Sequence, residues 1–220
     1  MKIHWFGHAA FLIEAGSLRI ILDPFRSPDS GGYAPIEEGA DVVAVSHEND
    51  RYHSHLGQIR PPFEVVRAMD LPPGGREVRG VRFEAIPVYE SPEKLAGDEV
   101  AIVHFRLEGR QVVFLGDLGH VLGEAELAPI RGADVLLVPA GGPPTIDLPL
   151  VAPLLDAIDP RIVVPMHYKT PRINLAIRPV EDFLAALSGW RVEAAGSSDL
   201  EIPAGMALSG RRIVRLEPSR

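Results

Sequence analysis

With 220 residues, 46% of them apolar, the chain has material for one sizeable core, and a single domain over residues 1–220 is expected. The formal net charge is −8 and the basic residues, nearly all arginine, are scattered along the chain, which argues against a nucleic-acid binder with its concentrated basic face. Cysteine is absent, so disulfides, thiolate metal sites and a cysteine nucleophile are excluded, and any metal must be held by nitrogen and oxygen.

Residues 1–14 carry one lysine and a short apolar run broken by His4, His8 and Glu14, which fits neither a signal peptide nor a spanning helix. A cytoplasmic protein without a membrane partner is the expectation. Lys2 to Phe6, Ala10 to Glu14 and Leu18 to Leu22 predict three short strands of an antiparallel meander, with turns at Gly7 and at Ala15-Gly16-Ser17. Residues 23–40 are rich in Pro, Gly and Ser, have no apolar period, and predict a loop.

Asp41 to Ser46 is a continuous apolar run, the pattern of a strand covered on both faces. The pattern returns in Gln111 to Leu115, Asp134 to Val138 and Arg161 to Val164. Val81 to Val88 and Val100 to Leu107 predict half-exposed hairpin strands, the second turning at Glu108-Gly109 into Gln111. Helices are predicted over Glu124 to Ile130, ending near Pro129, and over Leu148 to Ile158, where Pro153 should kink or shorten the helix. A further helix starts with Pro179 at its first position, buries Val180, Phe183, Leu184 and Leu187, and stops at Gly189. Strands buried on both faces need cover above and below, so the fold class is α/β, layered as helix, sheet, sheet, helix or as a three-layer relative of that.

Titratable residues stand just past the apolar strands: Asp23, His47, Asp117 and His167. Loops at one edge of a rigid sheet are where α/β proteins place function. Two histidines and a carboxylate are also the ligand set of a catalytic metal that keeps one position open for water. Taken singly, each is equally a cap or turn residue, and Asp23-Pro24 reads as well as a turn start. The densest polar stretch is His47 to His55.

Five segments, in order, carry a resemblance: Trp5-Phe6-Gly7-His8-Ala9-Ala10-Phe11-Leu12-Ile13, Leu22-Asp23-Pro24-Phe25, Val45-Ser46-His47, Leu115-Gly116-Asp117-Leu118-Gly119, and Val164-Pro165-Met166-His167-Tyr168-Lys169. From residue 1 to about 190 the chain resembles the metallo-β-lactamase superfamily, and most of all its UlaG-type, ascorbate-phosphate-lactonase-like bacterial hydrolases. The resemblance implies a four-layer αβ/βα sandwich with one or two divalent ions, zinc or manganese, at the edge of the paired sheets. It also implies a small-molecule substrate, and its UlaG-type members often form homo-oligomers. In the family signature, His-x-His-x-Asp-His is followed by a further His, a bridging Asp and a last His. His47 matches the first His, Asp117 the bridging Asp and His167 the last His. Asn49, Arg51 and Tyr52 stand where the second His, the Asp and the third His belong, and the further His falls at Tyr89.

Arg51 would repel an ion at the position its carboxylate counterpart serves, so at most one tightly bound metal is expected. Three outcomes follow. One ion sits on His47, Asp117 and His167, with Arg51 clamping an anionic substrate group, Tyr52 donating to an oxyanion and Asn49 beside them. Alternatively the protein is a metal-free binding or regulatory module in which Arg51 pairs with Asp117. In the third outcome His53 and His55 enter the site in place of the lost ligands, although both also read as surface loop residues. His8 reads equally as a substrate contact or an exposed turn residue. His120 is a candidate partner for Asp117, Lys169 a candidate anion contact, and Gly141-Gly142 a place where substrate approaches the backbone. His4 and His104 read as ordinary strand residues.

Overall fold

The computed structural model describes residues 1–220. Its strands are β1 (Lys2–Gly7), β2 (Ala10–Ala15), β3 (Leu18–Leu22), β4 (Val42–Val45), β5 (Glu64–Arg67), β6 (Arg76–Val78) and β7 (Val81–Tyr89). They continue as β8 (Glu99–Leu107), β9 (Arg110–Phe114), β10 (Val135–Pro139), β11 (Ile162–Met166), β12 (Arg191–Ala194), β13 (Asp199–Glu201) and β14 (Arg212–Arg215). Three helices lie in the second half: α1 (Glu124–Leu127), α2 (Leu148–Ile158) and α3 (Val180–Ala186). None is long and apolar enough to cross a membrane.

Two sheets result. The first has the order β13-β1-β2-β3-β4-β5, with the expected antiparallel meander at its centre and parallel pairing from β3 through β5. The second has the order β12-β14-β11-β10-β9-β8-β7-β6, parallel from β12 to β9 and antiparallel beyond.

The side-chain period of two sorts the first sheet into two cores. Ile3, Trp5, Phe11, Ile13, Ile20, Leu22, Val42 and Ala44 enter the main cluster of 54 buried residues, which also holds the second sheet and the apolar faces of α2 and α3. Phe6, Leu12, Ile21, Val43 and Val45 point the other way, where Phe25, Tyr33 and Ile36 of the 23–40 loop cover them together with Ile59, Ile173 and Ile177. The outer layer over the first sheet is therefore loop, while the helices serve the second.

Three local expectations change. β8 is buried at seven of its nine positions, not half exposed, because it lies inside the sheet between β7 and β9. α2 runs unbroken through Pro153, which faces solvent, so the carbonyl that loses its intrahelical partner lies on the wet side. Pro179 is the N-cap of α3, one position before the predicted one, and the helix ends at Ala186, before Gly189. The strands β5, β6, β12, β13 and β14 had no sequence signal, being three or four residues long; all but β14 are sheet edges.

Candidate metal centre

Five strand ends converge. His8 follows β1, Asp23 follows β3, His47 lies two residues past β4, Asp117 three past β9, and His167 directly follows β11. His8, Asp23 and His167 adopt positive φ (50°, 39° and 50°), a backbone region that side-chain-bearing residues enter at a cost and that collects at functional sites. The two sheets are stitched together here by the His167 N–H, which donates to the His8 carbonyl at 2.9 Å.

The sixth member is His53, delivered by the loop after β4. It is 1% exposed and sits between two buried carboxylates: Nδ1–H donates to Asp23 Oδ2 at 3.0 Å and Nε2–H faces Asp117 Oδ2 at 2.9 Å. The His47 ring lies 4.5 Å from that of His53, the His8 ring 5.1 Å from it, and the His8 and His167 rings are 4.2 Å apart. His167 Nε2 is 3.6 Å from Asp117 Oδ1. Residues 47, 117 and 167 thus belong to one buried cluster, with His53 at its centre.

Hydrogen bonds fix which lone pairs are free. Ser46 donates its N–H to Asp23 Oδ1 at 2.7 Å and its hydroxyl to Asp23 Oδ2 at 2.5 Å. The Ser46 oxygen must then accept from His47 Nδ1–H, 3.0 Å away, which leaves His47 Nε2 as an unprotonated acceptor. That atom is buried and without a partner, as are both ring nitrogens of His8, Nδ1 of His167 and Oδ1 of Asp117. Buried polar atoms are normally satisfied, and leaving several orphaned at one point is costly. His8, His53 and His167 form one group whose ligand atoms lie within 4.8 Å of one another; Asp23, His47 and His53 form a second. A nitrogen and oxygen donor set with orphaned lone pairs fits a divalent ion.

The protonation states agree with that fit. Burial, reinforced by neighbouring histidines, holds His8 well below the usual imidazole range; burial likewise lowers His47 and His167, so all three are neutral near pH 7, the form that binds metals. Burial would raise the Asp117 carboxyl, but the charge of His53, the neighbouring His167 ring and the hydrogen bond from His53 carry it well below its ordinary value. For His53, burial acts downward and is outweighed by Asp117 and Asp23, which push it up to about 10.

The remaining sequence candidates are placed elsewhere. Arg51 does not pair with Asp117. It is exposed, its Nε–H donates to the Asp29 carbonyl at 2.6 Å, and its guanidinium stands 5.0 Å over the Tyr52 ring; the cation beside Asp117 is His53. Tyr52 is half-buried at the margin, its ring 5.3 Å from that of His8. Asn49 holds the loop: its carbonyl accepts from the N–H groups of Tyr52, His53 and Ser54, and its side-chain oxygen accepts from Tyr52 N–H at 3.3 Å. His55 turns outward to Asp50 at 3.0 Å. Tyr89 is half-buried 6.0 Å from the His120 ring, and His120 donates Nδ1–H to the Val121 carbonyl, not to Asp117. The Lys169 ammonium binds the carbonyls of Ile173 and Leu175. Gly141 serves packing, since a Cβ there would stand 2.4 Å from the His167 carbonyl oxygen.

Sequence reasoning underweighted His8, Asp23 and His53. The signals were a Gly-His step after β1, an Asp-Pro step after β3, and the His-x-His spacing of residues 53 and 55.

Comparison with known proteins identifies the family. A UPF0173 metal-dependent hydrolase of Pyrococcus abyssi is 29% identical over 194 residues, covering 77% of this chain and 85% of that protein. A UPF0173 protein of Pyrococcus furiosus is 33% identical over 186 residues, covering 77% and 84%. Among solved structures, a Thermotoga maritima protein assigned to the Zn-dependent hydrolases of the metallo-β-lactamase superfamily superimposes with a TM-score of 0.77 at 31% identity, over 98% of this chain and 97% of that one. The model of the β-lactamase superfamily domain matches residues 2–167, which includes all six residues of the cluster, and the chain belongs to that superfamily.

Proposed function

We propose that the protein is a metal-dependent hydrolase acting on a small polar or anionic substrate, with one tightly bound zinc or manganese ion. The observation that carries this reading is the convergence of buried, partnerless donor atoms from His8, His47, His167 and Asp117 around His53. Bound there, the ion would supply Lewis acidity and a water acidic enough to act as nucleophile near neutral pH.

The chain's own groups have separable tasks in this account. His53, His167 and Asp117 hold the ion, with His8 and His47 completing the donor set. Asp23 holds His53 by Nδ1–H, the carboxylate–histidine arrangement that orients a ligand and raises its basicity. Ser46 does the same for His47, fixing the tautomer that turns Nε2 free. His53 must give up its Nε2 proton for that nitrogen to act as a donor, so metal uptake releases a proton. We place the activity in the cytoplasm, on a diffusible substrate, and assign the chain within its superfamily to the UlaG-type branch.

A second reading rests on the same residue. With both ring nitrogens facing carboxylates, His53 is an internal cation, and a metal-free binding module would keep it so. Elemental analysis of untagged protein from cells grown with zinc and manganese separates the two. Close to one ion per chain, lost in His53→Ala and His167→Ala, supports the hydrolase. No ion, and no thermal stabilisation when either metal is added, leaves the module.

A further inference from the structure

His4, which the sequence presents as an ordinary strand residue, lies in a relay remote from the metal centre. Its Nδ1 is 2.6 Å from Asp199 Oδ1 and its Nε2 is 2.8 Å from Ser219 Oγ. Asp199 pairs directly opposite His4 across the β1–β13 ladder, so its carboxylate has a fixed approach to the ring. Ser219 is held from the other side, its N–H donating to the Trp5 carbonyl at 3.1 Å and the next residue's N–H to the Phe6 carbonyl at 3.0 Å. An ionised Asp199 takes Nδ1–H, which leaves Nε2 as the acceptor of the Ser219 hydroxyl proton. Asp199 stays ionised: burial acts upward on it, but the hydrogen bonds from His4 and Lys2 hold its pKa below the ordinary value. The His4 side chain keeps 22% of its surface exposed, so a small reagent reaches the ring.

A hydroxyl within hydrogen-bond reach of an imidazole that a carboxylate orients is the arrangement that activates a serine nucleophile. We propose that Ser219, with His4 as base and Asp199 as positioning residue, forms a second, metal-independent site that accepts acyl groups from activated esters. Ser219 Oγ bonds to the ester carbonyl carbon, His4 Nε2 takes the hydroxyl proton, the bond to the alcohol or phenol oxygen breaks, and the proton passes from His4 to the departing oxygen. The product is Ser219 carrying an ester and the free alcohol or phenol. The Ser219 N–H is committed to Trp5, so it is no oxyanion donor. The site should therefore acylate faster than it deacylates, and only with good leaving groups.

The test is incubation of chelator-treated protein with p-nitrophenyl acetate, with release of p-nitrophenolate followed optically and the acetylated residue mapped by mass spectrometry. The expected result is a burst approaching one p-nitrophenolate per chain, an acetyl group on Ser219, and no change on restoring zinc. His4→Gln should slow acetylation of Ser219 by about 100-fold, in the range of general-base contributions. Asp199→Ala should slow it and Asp199→Glu restore it in part, a rescue that a merely packing role does not produce. Because His4→Gln also removes a tether of residues 217–220, Ser219→Cys is the second measurement: its alkylation by iodoacetamide should outpace that of a free cysteine in a denatured control. Acetylation elsewhere but not on Ser219, an unchanged rate in His4→Gln, or ordinary thiol reactivity in Ser219→Cys would each overturn the assignment.

Discussion

His53 bonds to both Asp23 and Asp117, and all three are almost fully buried. Removing one partner of a buried charged network leaves the others uncompensated, which costs roughly 3–5 kcal/mol. His53→Ala in chelator-treated protein should lose stability on that scale in urea unfolding, whereas Arg51→Ala, exposed and bonded only to a loop carbonyl, should stay within about 0.5 kcal/mol. The reverse ranking would return to Arg51 the cation role that its sequence position suggested. Sequence position misled here for a physical reason. His47, Asp117 and His167 are placed by strands, so their distance from an apolar run reveals them. His53 is placed by a loop whose path is set by the three N–H groups gathered on the Asn49 carbonyl, and no periodicity reports such a path. His8 and Asp23 hid behind good turn chemistry, because a turn residue and a ligand at a strand end look alike until burial is known.

At the level of elements, the centre depends on how closely strand-end loops approach one another. The N–H of Gly119 donates to the Tyr89 carbonyl at the end of β7, and a Cβ on Gly119 would stand 1.5 Å from the Glu90 carbonyl oxygen. No side chain fits, so Gly119→Ala must push the loop carrying Asp117, two residues earlier, off β7. We expect at least a tenfold weaker zinc affinity by competition with a chromophoric chelator, and a loss of about 1–3 kcal/mol from overpacking. Gly39→Ala, whose Cβ would meet nothing nearer than 3.8 Å, is the control and should change neither. The central strands were legible because burial on both faces writes a continuous apolar run, as in β4, β9, β10 and β11. Short edge strands such as β5 and β13 carry no such run and are held by their neighbours' ladders, which is tertiary information. Pro153 predicts a kink or a shortened helix because its N–H is missing, and sequence does not report that this side of α2 faces water, where the freed carbonyl is solvated.

On the scale of the whole molecule, the centre ties the stability of the fold to pH, and the sign differs between its members. His53 has its folded pKa raised to about 10 from an ordinary value of 6.5, so its contribution is complete below about pH 6.5 and is lost as pH rises towards 10. His8, His47 and His167 are lowered by burial, so they hold fewer protons folded than unfolded, and their neutral forms favour the fold only as pH rises through the ordinary imidazole range. Asp117 is depressed, and its contribution disappears only in acid, below the ordinary carboxylate range. Metal-free protein should therefore be most stable close to pH 6.5 to 7. On the alkaline side unfolding releases one proton, so stability should fall by about 1.4 kcal/mol per pH unit towards pH 10. Saturating metal takes the place of that proton and should flatten the alkaline limb while raising the melting temperature in proportion to the logarithm of free ion concentration. Urea unfolding from pH 5 to 10, with and without zinc, measures both limbs. An alkaline slope that survives zinc saturation, or is absent from metal-free protein, would mean that His53 does not exchange its proton for the ion.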